Sequence, residues 1–197
     1  MPHPDQQRIG VLGGTFDPVH TAHIVAANEV LTTLRLERVL FVVAGDPWQK
    51  RGKVVASAAD RLELVTLALD GIAGLEASPV EIESGRASVT ADTLELLARP
   101  DRELFLVLGA DAVTNMSTWR RLDETRDLAT VVVVERAGEH AVVPPGPGWR
   151  VEHVRIPRLD ISSTDIRERI AAGRAIDGLV PPAVVRSIRS RDLYTRP

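Results

Sequence analysis

The 197-residue chain contains no cysteine. That excludes disulfides, thiolate zinc sites and cysteine nucleophiles, and it suits a reducing compartment. No sign of charge dominates either: 24 Lys and Arg stand against 27 Asp and Glu, a formal net charge of -3, with no long run of one sign. A sequence-independent grip on nucleic acid is therefore not expected, and any anionic ligand must be held by a local site. No apolar stretch approaches membrane-spanning length. The polar start MPHPDQQR is followed by too few apolar residues for a secretory leader. The expectation is a cytoplasmic protein with no membrane attachment, built as one domain over residues 1–197, long enough to bury a core without staples.

Short β-branched runs alternate with helical patterns along the chain. RIGVL (8–12), RVLFVVA (38–44), ELFLVL (103–108) and TVVVVE (130–135) are near-continuous apolar runs, the kind buried on both faces of a parallel sheet. PVEIE (79–83) and VEHVRI (151–156) alternate more and read as outer strands. Between them Ile24, Ala27, Leu31 and Leu34 recur at helical spacing, as do Leu62, Val65 and Leu69, then Leu94, Leu97 and Ala98. The order βαβαβαβ predicts an α/β fold: a doubly wound, Rossmann-like parallel sheet with helices on both faces and ligands beyond the carboxyl ends of its strands. A loop, AGEHAVVPPGPGW (137–149), precedes the last strand and two C-terminal helices.

The stretch GVLGGTFDPVHTAH (10–23) lies where the first strand hands over to the first helix. Gly13 and Gly14 allow a turn and a close backbone approach, although a pair of glycines also serves an ordinary tight turn. Asp17 and Pro18 read as N-cap and first helical residue, which would aim unpaired N–H groups at an anion. His20 and His23, spaced i, i+3, share one face of that first turn, and imidazoles at the positive end of a helix gain most when phosphate binds. His23 also fits a satisfied core histidine, since it precedes the apolar stripe. A metal reading of the two histidines lacks a third ligand: His3, His140 and His153 lie elsewhere, so a carboxylate would have to supply it. No protein-held metal is expected.

A second constellation, LDISSTDIRERI, spans 159–170. Ser162 with Asp165 three residues on marks a capped helix start. Three consecutive hydroxyls, Ser162, Ser163 and Thr164, exceed what a cap requires, and with Arg167 they offer donors and a guanidinium fork for phosphate oxygens. Two helix starts of this kind suggest a polyphosphate held between them.

GGTFDPVHTAH together with ISSTDIR resembles the nucleotidyltransferase superfamily with an H-x-G-H signature, and the likeness runs along the whole chain to the bacterial nicotinate-nucleotide adenylyltransferases. GDPWQK (45–50), SVTADTL (88–94) and GADAVTNMSTW (109–119) favour that branch over the phosphopantetheine, FMN and glycerol 3-phosphate relatives. The resemblance implies transfer of the adenylyl group of ATP to nicotinate mononucleotide, with release of pyrophosphate, as a step of NAD biosynthesis. It implies His20, His23, Lys50 and Arg167 as catalytic residues. Gly13, Gly14, Thr15, Phe16, Gly109, Asp111, Ile161, Ser162, Ser163 and Thr164 are implied around ATP, which brings Mg²⁺ with it. Thr90, Asn115 and Trp119 are implied around the acceptor: the amides of Thr90 and Asn115 for the ring carboxylate, and the flat face of Trp119 for the pyridinium. Read without the family, Asp111 is equally a helix N-cap and Trp119 equally a ring packed under a loop. The implied partners are these two nucleotides, and a homo-oligomer is compatible with the sequence.

Two positions depart from the family pattern. Ala22 stands where H-x-G-H has glycine, placing a methyl group on the nucleotide's path, and Val89 replaces the aromatic of Ser-Tyr-Thr near the acceptor. Nicotinamide mononucleotide and phosphopantetheine remain alternative acceptors, and a nucleotide-binding regulator without turnover is the reading from a different class.

Overall fold

The computed structural model describes residues 6–46, 55–136 and 142–195. Six strands form one sheet: β1 (Gln7–Gly14), β2 (Arg38–Val43), β3 (Leu75–Ser78), β4 (Arg102–Gly109), β5 (Ala129–Arg136) and β6 (Val151–Ile156). All pairings are parallel and the order is β3-β2-β1-β4-β5-β6. The chain runs outward from β1 on one side, then returns to β4 on the other. The carboxyl ends of β1 and β4 therefore border the switch point, where doubly wound sheets bind their ligands.

The continuous apolar strands are explained by cover on both faces. Val39, Phe41 and Val43 of β2, Phe105 and Val107 of β4, and Val132 and Val134 of β5 join one buried cluster. It also takes Ile24, Ala27 and Val30 of α1 (Thr21–Thr33), Leu64 and Val65 of α2 (Ala58–Leu69), Ile166 of α7 (Ser163–Ala171) and Val184 of α8 (Pro182–Ser190). The alternate residues, Leu104, Leu106 and Leu108 of β4 and Val131 and Val133 of β5, pack on the other face with Leu94 and Leu97 of α4 (Thr90–Leu97) and Val113 of α5 (Ala110–Thr114). The short helix α6 (Leu122–Leu128) leads into β5.

One predicted strand is a helix. β3 is only Leu75–Ser78, and PVEIE forms α3 (Val80–Ser84), with the Pro79 carbonyl accepting from the Glu83 amide at 2.9 Å. Its apolar-acidic alternation reflects a single turn ended by Gly85 at φ 62, where a left-handed residue closes the helix. VEHVRI is an outer strand as read, β6, at the edge of the sheet.

Phe41 is fully buried and its ring lies 5.5 Å from that of Phe16. Phe41→Ala removes this packing beneath the β1–α1 loop and should cost about 3–5 kcal/mol, read as a lowered urea midpoint at unchanged slope.

Candidate functional site

The β1–α1 loop turns more sharply than its sequence suggests. Neither Gly13 nor Gly14 has a positive φ; the left-handed residue is Phe16, at φ 50, and the Asp17–Pro18 bond is cis. A Cβ on Gly14 would lie 2.8 Å from Phe16 Cζ, so this glycine makes room for the ring, whereas Gly13 opens onto free space. The expected N-cap at Asp17 is corrected: α1 begins at Thr21, with His20 as N-cap. Asp17 is buried, and its carboxylate accepts from the amides of Val55 and Ala56 at 2.8 and 3.1 Å and from the Tyr194 hydroxyl at 2.8 Å. Three donors from two distant segments outbid a helix start for that side chain.

His20 and His23 are brought together. Their rings stack with centroids 3.6 Å apart, and Phe16 meets the His23 ring edge-on at 5.1 Å. The backbone N–H of His20 donates to His23 Nδ1 at 3.2 Å, which places the ring hydrogen of a neutral His23 on Nε2 and makes that nitrogen a donor. His20, at 6% exposure, is the more buried of the two, the reverse of the core-histidine reading. The first helical amide, of Thr21, is already taken by the Leu179 carbonyl at 2.9 Å.

The second motif docks onto the first. Ser162 caps α7, accepting from the Asp165 amide at 3.1 Å. Ser163 Oγ donates to the Pro18 carbonyl at 2.9 Å, and Arg167 Nη1 donates to the Asp17 carbonyl at 2.8 Å while Nη2 reaches Thr164 Oγ1 at 3.4 Å. Arg167 thus joins α7 to the histidine loop.

Two clefts meet at the switch point. One, of about 480 Å³, is lined by His20, Ala22, His23, Gly109, Ile161, Ser162 and Ser163 among others. The other, of about 420 Å³, is lined by Gly14, Thr15, Glu81, Ser88, Thr90, Asn115 and Trp119 among others. Gly13, Leu108, Asp111 and Ala112 line both. Phe16, Thr164 and Arg167 line neither, and Lys50 lies outside the described residues. Thr90 opens α4 behind Val89, which offers no side-chain cap, so the N–H groups of the first turn have no acceptor within the helix. The Asn115 amide is engaged differently from the expectation: it is shared between the carbonyls of Asp111 and Ala112, each at 3.2 Å. Asp111 sits in the first turn of α5 behind the N-cap Gly109 and is not itself the cap. Among the described residues no group of three or more His, Asp or Glu could cage a metal, and no helix is long and apolar enough to cross a membrane.

A family model described as cytidylyltransferase-like matches residues 11–169. A relative from Corynebacterium kroppenstedtii, described as a probable nicotinate-nucleotide adenylyltransferase, is 45% identical over 191 residues, covering 95% of this chain and 90% of its own. One of the same description from Frankia casuarinae is 46% identical, covering 93% and 98%. The chain belongs to the nicotinate-nucleotide adenylyltransferase family. Its fold is that of a Plasmodium falciparum nicotinic acid mononucleotide adenylyltransferase solved with NaAD, with a TM-score of 0.80 at 18% identity over 96% of this chain and 98% of the other.

Two residues that shape the site of this family member escape a reading of motifs. Arg61 of α2 is 1% exposed and donates to the carbonyls of Thr15 at 2.7 Å, Ala44 at 2.8 Å and Ala56 at 3.3 Å. Burial pulls its pKa down, and the Asp17 charge opposes that. The signal was its position: Arg61 falls in one stripe with Leu64, Val65 and Ala68, where a charge must be buried. The other residue is Tyr194, on Asp17 from the far end of the chain.

Burial first, then the Asp17 charge and the hydrogen bond to it, push the Tyr194 pKa well up. The hydroxyl is thus stabilised neutral. Its contribution is complete below the ordinary tyrosine pKa of about 10 and is lost as pH rises beyond it. Tyr194 is the chain's one tyrosine, so tyrosinate absorbance reports it alone. The native protein should show no tyrosinate step near pH 10, the step should return in urea, and Tyr194→Phe should flatten the alkaline loss of stability.

Proposed function

We propose that this chain transfers the adenylyl group of ATP to nicotinate mononucleotide, giving nicotinate adenine dinucleotide and pyrophosphate in NAD biosynthesis. The observation that carries the reading is the pair of clefts sharing Gly13 and Asp111. A nucleotide in the histidine cleft and a mononucleotide in the Trp119 cleft would bring an α-phosphate and an acceptor phosphate together over Gly13, which has no β-carbon to intervene. The names of the relatives support a nicotinate nucleotide as acceptor and adenylyl as the group transferred.

The acceptor phosphate has a second pKa of about 6, so near neutral pH the nucleophile is already ionised. Its oxygen attacks the α-phosphorus in line, the bond to the bridging oxygen breaks, and pyrophosphate leaves with the electron pair. Positioning and charge neutralisation then suffice. His23 Nε2–H and its stacked partner His20 take phosphate oxygens as charge builds, helped by the hydroxyl of Ser162, whose hydrogen its capping bond leaves available, while Ser163 holds the Pro18 carbonyl. Mg²⁺ would enter as part of the ATP substrate and offset the charge of its phosphates. The family resemblance gives Lys50, outside the described residues, the part of adding a positive charge to the phosphates. Arg167 holds the two phosphate-facing loops in register, and Asp111 accepts from the nucleotide ribose. Gly14, Thr15, Gly109 and Ile161 form walls and Phe16 supports His23 from below. On the acceptor side Trp119 stacks on the pyridinium ring, worth about 1 kcal/mol. The uncapped start of α4 at Thr90 takes the ring carboxylate.

Backbone donors welcome a carboxylate and leave an amide's NH₂ facing other donors. Nicotinate mononucleotide should therefore exceed its amide in kcat/KM by about 10²-fold or more, measured by pyrophosphate release with ATP and Mg²⁺. Equal use, or preference for phosphopantetheine, would overturn the assignment. Under the same assay His20→Ala and His23→Ala should each lower kcat by about 10²-fold or more while circular dichroism stays native; normal turnover with early melting would return either histidine to a packing role.

A further inference from the structure

Two residues that line the acceptor-side cleft, Glu81 and Ser88, each have a buried side-chain oxygen, Glu81 Oε2 and Ser88 Oγ, with no hydrogen-bond partner among the described residues. The first is the more demanding. Glu81 Oε1 accepts from Thr93 Oγ1 of α4 at 2.7 Å, which fixes the carboxylate by one oxygen and leaves the other without a donor. The backbone beneath it is held as well: a Cβ on Gly45 would lie 2.8 Å from the Glu81 carbonyl oxygen, so α3 is packed tightly against the end of β2. A buried carboxylate oxygen needs a donor and repels anions.

The acceptor proposed above carries an anionic phosphate at one end and an anionic carboxylate at the other, the latter on a pyridinium ring that is positive but has no N–H to donate. Neither is tolerated against Glu81. Between them lies a neutral ribose, and its hydroxyls are the donors this molecule carries. We infer that Glu81 is a positioning and specificity residue for the acceptor: its second oxygen takes a hydrogen bond from a ribose hydroxyl of the mononucleotide, and Thr93 sets its orientation. The inference rests on the proposed acceptor. It adds selection for ribose over deoxyribose and spaces the two anionic ends between α4 and the histidines.

The test pairs variants with substrates. Steady-state kinetics are measured by pyrophosphate release for the native protein, Glu81→Gln, Glu81→Ala and Thr93→Val. The acceptors are nicotinate mononucleotide, its 2′-deoxy and 3′-deoxy forms, and nicotinamide mononucleotide. Losing a hydrogen bond to a charged group should raise the acceptor KM of Glu81→Ala by about 10- to 100-fold, with the KM for ATP unchanged. One deoxy acceptor should show a like rise with the native protein and none beyond it with Glu81→Ala, and Glu81→Gln, which keeps an acceptor oxygen, should recover part of the loss. If Glu81→Ala fails to fold, Thr93→Val carries the same cycle with a smaller rise. An unchanged KM, or equal added losses with both deoxy forms, overturns the inference alone. So does a changed acid-to-amide ratio with ribose sensitivity intact, which would put Glu81 against the ring. A native protein that does not use nicotinate mononucleotide overturns the proposed function as well.

Discussion

A guanidinium taken out of water must find acceptors, and Arg61 finds them in three segments at once: Thr15 after β1, Ala44 after β2 and Ala56 before α2. Asp17 supplies the opposing charge and ties the same region again through Val55, Ala56 and Tyr194. Desolvating two such groups costs several kcal/mol each, so the arrangement is favourable only with both present and all their hydrogen bonds made. That mutual dependence gives the β1–α1 loop one shape. The left-handed Phe16, the ring under His23 and the stacked histidine pair all follow from where Asp17 is held.

The clefts divide labour along the sheet's topology. Because β1 and β4 are neighbours while their following helices leave in opposite directions, a gap opens between them with Gly13 on its floor. α7 then reaches back across the chain to close one side, with Ser163 and Arg167 bonded to the carbonyls of Pro18 and Asp17. Groups that motif spacing assigns to phosphate are here partly occupied in holding one motif to the other. Rigidity of this kind serves a reaction whose barrier is lowered mainly by position.

The sheet was legible because burial on both faces leaves long apolar runs, and β1, β2, β4 and β5 are those runs. α3 was not, since five residues of Val, Glu, Ile, Glu and Ser fit one helical turn and a short strand alike; only Pro79 and Gly85 at its ends hint at the turn. Two helix starts at the candidate site were legible, with Ser162 capping α7 and Thr90 opening α4. Asp17 was misread because a local rule, Asx before proline, competes with partners 38 and 177 positions away. No local pattern records such partners. Arg61 differs in that its place in the buried stripe of α2 was a local sign, although the three carbonyls it meets were not.

The bond from Tyr194 to Asp17 joins residues 177 positions apart, and those from Thr21 to the carbonyls of Gly178 and Leu179 join residues 157 and 158 apart. Loop closure over such separations comes late in folding. During synthesis, the segment carrying both histidines emerges well before Tyr194, and its buried carboxylate lacks that donor until residue 194 has been made. The sheet can assemble strand by strand before then. The histidine cleft cannot reach its final form before Tyr194 is in place, so a product that stops short of that residue holds the motif without a finished site.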